Sequence, residues 1–396
     1  MTMTTTNPVP STLSASSQRL PFLDWVRVGA FGLLILYHVG MFYVTWDWHV
    51  KSQHVGPALE PLMLLSNPWR LSLLFLISGV ATRYMADRMG PGELARSRLP
   101  RLGIPLLFVM AVLVVPQPYY EVVEKIQYAE GFLAFYGQYL SFHQGFCRGD
   151  DCLILPTWNH MWFVAYLLLY TVILSLILVA GGGRAMIRLG QGAWTRRPWM
   201  VLLGPMLILV GLRLALYDRF PVTHNLVWDW YNHAVSFGMF LLGYAIARNA
   251  DLFDRVAAMR WSTLVWALLA WGAYVYCWSL WTFHDHDLPV DGDILRLIAR
   301  TAYGVQQWTM ILVVLGFARR HCNRSTPLLR YLSVGVFPFY IIHQTLIVVA
   351  GHNLSPLALP VAVESLLIII LTVAGCFATY ELARRSRLLG PLLGVR

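Results

Sequence analysis

The stretch LPFLDWVRVGAFGLLILYHVGMFYV, residues 20–44, decides how this chain folds. It is long enough to cross a bilayer as a helix, which takes about 20 apolar residues. Yet it carries Asp24, Arg27 and His38. An ionisable residue within a span costs about 2.5–3.5 kcal/mol for Arg or Asp, so such groups mark function. Asp24 and Arg27 are i and i+3, share a face and can neutralise each other. The eleven residues from Arg27 to His38 turn a helix through three circles plus about 20° and rise about 16 Å. All three groups therefore form one polar stripe on an apolar helix. The competing reading of each residue taken alone is a polar helix contact, with Arg27 snorkelling to the surface. The shared face weakens that reading for the set.

Nine further apolar segments follow, at about 69–87, 102–118, 160–180, 199–217, 232–248, 261–281, 295–318, 331–350 and 361–381. The composition agrees: 57% hydrophobic and 13% charged, against about 25% charged in soluble proteins. A soluble cytosolic enzyme and a disordered chain are both excluded. The expected fold is all-α and polytopic, with about ten transmembrane helices in one bundle over residues 20–381. Residues 1–18 are rich in Thr, Ser and Pro, lack signal-peptide features and read as a disordered cytoplasmic tail. Residues 382–396 read as a basic cytoplasmic tail.

The net charge is +10, and only Lys51 and Lys125 are lysines. With the N-terminus inside, 21 of the 30 Lys and Arg fall in cytoplasmic tails and loops, and four (Lys51, Lys125, Arg148, Arg219) fall outside. That asymmetry predicts both termini cytoplasmic. It also explains the basic balance without nucleic acid as a partner.

Four other features carry chemistry. Arg98-Leu99-Pro100-Arg101 precedes the third segment; with Pro100 as first helical residue, Arg98 and Arg101 flank a helix N-terminus that attracts anions. Ordinary positive-inside arginine accounts for the same residues on spacing alone. Asn67-Pro68-Trp69-Arg70 reads as the start of the second span and puts Arg70 at the outer face, as an acceptor or oxyanion contact or as an interfacial anchor. Tyr340 and His343 share a helix face in Pro338-Phe339-Tyr340-Ile341-Ile342-His343, where a structural histidine competes with a catalytic one. His160 sits in the outer segment Trp158–Phe163. Trp46, Trp48, Trp228, Trp230 and Trp281 in outer loops could stack on sugar rings, as could an interfacial belt form from them. Cys147 and Cys152, as C-x4-C, suit a disulfide if their loop faces an oxidising space, and equally two free thiols. His284-Asp285-His286-Asp287 is the densest set of metal-type ligands and reads as a solvated loop, so no metal is expected.

Together these residues resemble the acyltransferase-3 superfamily of integral membrane acyltransferases. The resemblance runs from about Leu20 to Arg387. It rests on LDWVR at 23–27, Arg27-x10-His38, WRLSLLFLISG at 69–79, RxxR at 98–101, HMWFVAYLLLY at 160–170 and PFYIIHQTLIV at 338–348. VVPQPYYE at 114–121 and the outer tryptophans look closest to the branch that decorates periplasmic glucans, related to a glucan succinyltransferase. The resemblance implies a multi-pass protein of the bacterial inner membrane. It implies transfer of an acetyl or succinyl group from cytoplasmic acyl-CoA, a co-substrate and not a resident cofactor, to a hydroxyl of an extracytoplasmic glycan. By match to the motifs, His38 takes the catalytic role, and Arg27, Arg98 and Arg101 bind or organise acyl-CoA. Asp24 is expected to work with His38 through the stripe, and Arg70, His160, Tyr340 and His343 to face the acceptor or pore. A neutral imidazole suits general-base work near pH 7; an acyl-histidine is the alternative. The reading needs a polar path open from Arg27 to His38.

The rival function is a transporter or exporter of a small anion or glycan, since intramembrane ionisable groups also mark transport paths. Inverted repeats would favour it, and none stands out. A structural scaffold leaves the polar stripe without a purpose.

Overall fold

The computed structural model describes residues 20–284 and 290–395. The expected tail 1–18 and Asp285–Asp287 lie outside the described residues. Among the described residues no three metal-type ligands gather.

The chain is helical almost throughout. Its first half comprises α1 (Pro21–Tyr43), α2 (Glu60–Ser66), α3 (Arg70–Ala86), α4 (Pro91–Phe108), α5 (Pro116–Ile126), α6 (Phe132–Leu140), α7 (Trp162–Val179) and α8 (Gly183–Gln191). The second half comprises α9 (Pro198–Leu216), α10 (Trp230–Ile246), α11 (Ala250–Ala258), α12 (Arg260–Phe283), α13 (Gly292–His321), α14 (Pro327–Leu354), α15 (Val361–Arg385) and α16 (Leu389–Leu392). A small hairpin pairs β1 (Cys147–Arg148) with β2 (Asp151–Cys152).

Among the described residues nine helical stretches are long and apolar enough to cross a membrane, one fewer than expected. The difference is α10, where a span over 232–248 was expected. It has 17 residues, about 26 Å at 1.5 Å per residue, short of a hydrocarbon core of about 30 Å. Its length is cut at one end by buried Asp229 and at the other by Asn249, whose side chain caps α11 by accepting from the Leu252 N–H. The helix is still inside the bundle, with Tyr231, Val235, Met239 and Phe240 buried.

Burial sorts the helices. The stretches containing α3, α13 and α14 are mostly enclosed, whereas α9, α12 and α15 present most of their surface outward. Small residues let the inner helices touch. At the crossing of α3 and α10, a Cβ on Gly79 would fall on the Phe240 carbonyl oxygen, and one on Gly243 on the Leu76 carbonyl oxygen. Gly79→Leu should therefore cost about 3 kcal/mol or more, the upper range for overpacking. A thermal melt of the detergent-solubilised protein followed by tryptophan fluorescence would show it. An unshifted melt would mean that the crossing is loose.

One helix boundary differs from expectation. The helix that carries RLPR begins at Pro91, after Gly90, so Pro100 lies inside α4 and is not its first residue. The N1 signature of proline is satisfied nine residues earlier, and the anion site expected at a helix start beside Pro100 does not exist. From Pro91 the helical path runs on to Ile126 through a π-helical turn, Val109–Leu113. At the C-terminal end, α15 runs on to Arg385. Gly390 and Leu393 are buried, and α16 packs against α4 and α15.

Cys147 and Cys152 are joined as a disulfide. It closes the hairpin beside a small cluster of Val122, Phe135, Tyr139 and Phe146. Closing so short a loop is worth about 2 kcal/mol in the chain-entropy model. The double variant Cys147→Ser/Cys152→Ser should lower the melting temperature of the solubilised protein. A maleimide probe should label these two cysteines in the native sequence only after reduction.

Candidate active site

Two cavities open at opposite ends of α1. The larger, about 660 Å³, is lined by His38, Trp48, His49, Arg70, His160 and Tyr340 among others. The smaller, about 340 Å³, is lined by Asp24, Arg27, Arg88, Ser325, Arg330 and Ser333 among others. Asp24 and Arg27 pair at 3.5 Å, as their spacing requires. Arg27 also donates to the Ser333 carbonyl of α14 at 2.8 Å.

The expected continuous path from Arg27 to His38 is not present. Neither of these two cavities is lined by both residues. Between them on α1 stand buried Ala30, Phe31 and Leu34, and on the facing turns of α3 stand Leu73 and Ile77. Phe31 meets Phe339 of α14 with ring centroids 6.0 Å apart. The stripe is real, but an apolar layer interrupts it. Asp24, fourteen residues or about 21 Å along the helix from His38, is not brought to the imidazole.

Arg98 and Arg101 line neither cavity. Arg98 is turned against α3 and donates to Thr82 Oγ1 at 2.5 Å. Arg101 is exposed. Arg88 and Arg330, which spacing did not single out, stand at the small cavity instead.

The geometry around His38 fixes its protonation pattern. α1 packs on α14, and His38 Nδ1 lies 2.9 Å from His343 Nε2. His343 Nδ1 lies 2.7 Å from the Tyr340 carbonyl oxygen. A carbonyl only accepts, so His343 Nδ1 carries the proton. In neutral His343 the Nε2 is then an acceptor, and His38 Nδ1–H donates to it. The neutral His38 is left with its lone pair on Nε2, the arrangement of a general base oriented by a second group. Trp48 stacks over the same ring at 6.4 Å.

His160 and Tyr340 form the adjoining wall. His160 Nε2–H donates to the Ile341 carbonyl at 3.0 Å, its Nδ1 lies 3.3 Å from Gln117 Nε2, and the Tyr340 hydroxyl donates to the His160 carbonyl. Gln117 also donates to Thr345 Oγ1 at 2.7 Å and accepts from Gln344 at 3.0 Å. Gln344 reaches His49 Nε2 at 3.0 Å, and His49 Nδ1–H donates to Glu121 at 2.5 Å. Arg70 begins α3, is buried, lies over the Tyr37 ring at 3.3 Å and donates to Asn67 Oδ1 at 3.2 Å. Asn67 thus holds the arginine and does not cap the helix. His224, in the loop before α10, stacks on Trp162 at 4.2 Å. Burial pushes its imidazole down to about 4, against the upward pull of Asp229.

Of the outer-loop tryptophans expected to stack on sugar, Trp48 lines the cavity; Trp46, Trp228, Trp230 and Trp281 do not. Trp158 and Trp162 line it as well. The His49–Glu121 pair and the Gln117–Gln344 link were missed in the sequence. They join residues 72 and 227 positions apart, and no local spacing reports such contacts.

The larger cavity thus sets paired histidines, a buried guanidinium and aromatic walls inside a bundle of long apolar helices. The family model described as Acyltransferase domain matches residues 20–381. The chain belongs to that family, acyltransferase-3, and is an O-acyltransferase. The chain is 24% identical over 369 residues to glucans biosynthesis protein C of Escherichia coli O81 (strain ED1a), covering 88% of this chain and 86% of the relative. The same protein of Escherichia coli O9:H4 (strain HS) matches with the same identity and coverage. No solved structure matches.

Proposed function

We propose that this enzyme moves an acyl group, acetyl or succinyl, from cytoplasmic acyl-CoA to a hydroxyl of a glucan on the outer face of a bacterial inner membrane. The observation that carries the reading is the His38–His343 pair, which leaves a base lone pair in the larger cavity. The relatives' name supplies the acceptor class. The arginine census supports placing the small cavity at the cytoplasmic side and both termini inside.

In the proposed reaction, His38 Nε2 takes the proton of the acceptor hydroxyl as its oxygen attacks the thioester carbonyl. Arg70, lining the same cavity, suits stabilisation of the resulting oxyanion. The C–S bond then breaks, and the thiolate recovers the proton from Nε2. Arg27, Arg88 and Arg330 suit the phosphates of the donor at the smaller cavity. Arg98 and Arg101, which line neither cavity, add positive charge on the cytoplasmic side in this reading. For the donor arm to reach His38, the layer of Phe31, Leu34 and Leu73 must part. Membership of an acyltransferase family decides against the transporter reading.

Membranes containing the protein, supplied with labelled acyl-CoA and glucan, should transfer label to the glucan fraction. Glucans from cells lacking the protein should lose the corresponding mass increment. Glucan export without any acyl-CoA-dependent labelling would overturn the proposal.

A further inference from the structure

We infer that the larger cavity contains an anion-binding subsite, built on Arg213 with Arg70 lining the same chamber, that takes a carboxylate or similar single anionic group carried by the ligand. The group comes either from the free end of the acyl chain or from the acceptor sugar. The inference rests on reading this cavity as the transfer chamber.

Arg213 lies in the last turn of α9, a helix that is mostly exposed to the surroundings of the bundle. It nonetheless turns inward, is 8% exposed and lines the cavity. Its guanidinium carbon is 3.5 Å from the ring centre of Tyr217, 4.0 Å from Tyr303 and 5.3 Å from Tyr231. Aromatic faces compensate part of a buried cation's desolvation. The Tyr231 hydroxyl interacts with the guanidinium, and the remaining N–H donors are left for an acceptor. No carboxylate lies within 4 Å of Arg213 among the described residues, and its Nε is buried without a hydrogen-bond partner. Arg70, 6% exposed, is in the same position: its Nε is buried and unpartnered, and it has no carboxylate.

Arg98 and Arg260 also have a buried Nε without a partner, but neither lines this cavity; Arg213 and Arg70 both do. Arg300 pairs with Asp218, Arg319 with Asp254 and Arg248 with Asp87, although all three are less buried. The cavity's own acidic lining residue, Asp47, is exposed and bonded to Lys125 at 2.9 Å. Two buried cations without counter-charge in one chamber are costly unless an anion completes them. A planar guanidinium matches a carboxylate through two parallel hydrogen bonds. The transfer chemistry at His38 makes no use of Arg213.

The test uses the full-length protein in detergent. Its thermal stability is titrated with succinate and with glucuronate, and with 1,4-butanediol and glucose as neutral counterparts, at constant ionic strength. At least one anion should stabilise the protein saturably, and Arg213→Gln should weaken that binding tenfold or more. Arg213→Lys, which keeps the charge but loses the fork, serves if the glutamine variant does not fold and should also weaken it about tenfold. Kinetics then separate the sources. Acetyl-CoA is compared with succinyl-CoA on a neutral glucan, and neutral with carboxylated glucan under acetyl-CoA. R213Q should cut kcat/KM for the anion-bearing member of one pair at least tenfold more than for its neutral partner. The subsite is refuted if neither anion stabilises the native protein, if both variants bind as the native protein does, or if R213Q depresses every substrate equally. Arg213-dependent anion binding with no acyl transfer from any donor would leave the subsite standing and defeat the transferase reading.

Discussion

Replacing His38 with alanine is expected to lower acyl transfer about 1,000-fold or more in a protein that still inserts and melts as the native one does. Positioned proton transfer supplies about 100- to 10,000-fold, and His38 is oriented by a neighbour whose own proton is fixed by a backbone carbonyl. The other imidazoles of the region provide a control. His160 and His49 each use both ring nitrogens in hydrogen bonds. His224 lines the same cavity, and its ring nitrogens make no hydrogen bond among the described residues. Labelled acyl transfer by His38→Ala and His224→Ala, measured side by side, therefore decides the assignment. The His38 variant should lose at least tenfold more activity. The reverse order would move the base to His224.

Replacing His343 is the second large effect. It is fully buried, meets His38 Nδ1 through its own Nε2 and stacks beside the His38 ring at 5.1 Å. Its role is to hold the His38 ring and its tautomer, so it is a positioning residue. His343→Ala should lower kcat about 100-fold while changing KM for either substrate only a few-fold. His343→Gln, whose amide oxygen can accept from His38 Nδ1–H, should recover part of the loss. In the double variant with His38→Ala, the His343 change should cost almost nothing more, because the two act as one unit. Equal losses in the alanine and glutamine variants, or full additivity, would mean that His343 only fills space beside Phe31, which its ring meets at 5.4 Å.

These expectations draw on two kinds of information, and the sequence holds only one. Helical periodicity is local, so the Asp24–Arg27 pair and the shared face of Tyr340 and His343 could be read directly. The partner of His38 lies 305 residues away, and only packing of α14 on α1 brings it near. The Pro100 misreading has a physical cause as well. Proline marks helix starts in water, but in a membrane bundle neighbouring groups tolerate it within a helix, and α4 carries both Pro100 and Pro105 inside. Arg213 gave no signal at all: one arginine at a span end looks like an anchor until its tyrosine cage is seen.

The layer of Phe31, Leu34, Leu73 and Ile77 has a cost and a use for the cell. A shaft wide enough for a thioester arm, left standing open, would short-circuit the ion gradient across the bilayer. Closed by side chains without a polar atom, this layer would keep ions from passing between the two cavities. Conductance is thus the quantity by which substitutions in that layer declare themselves: Leu73→Ser should make vesicles leak protons even where acylation continues.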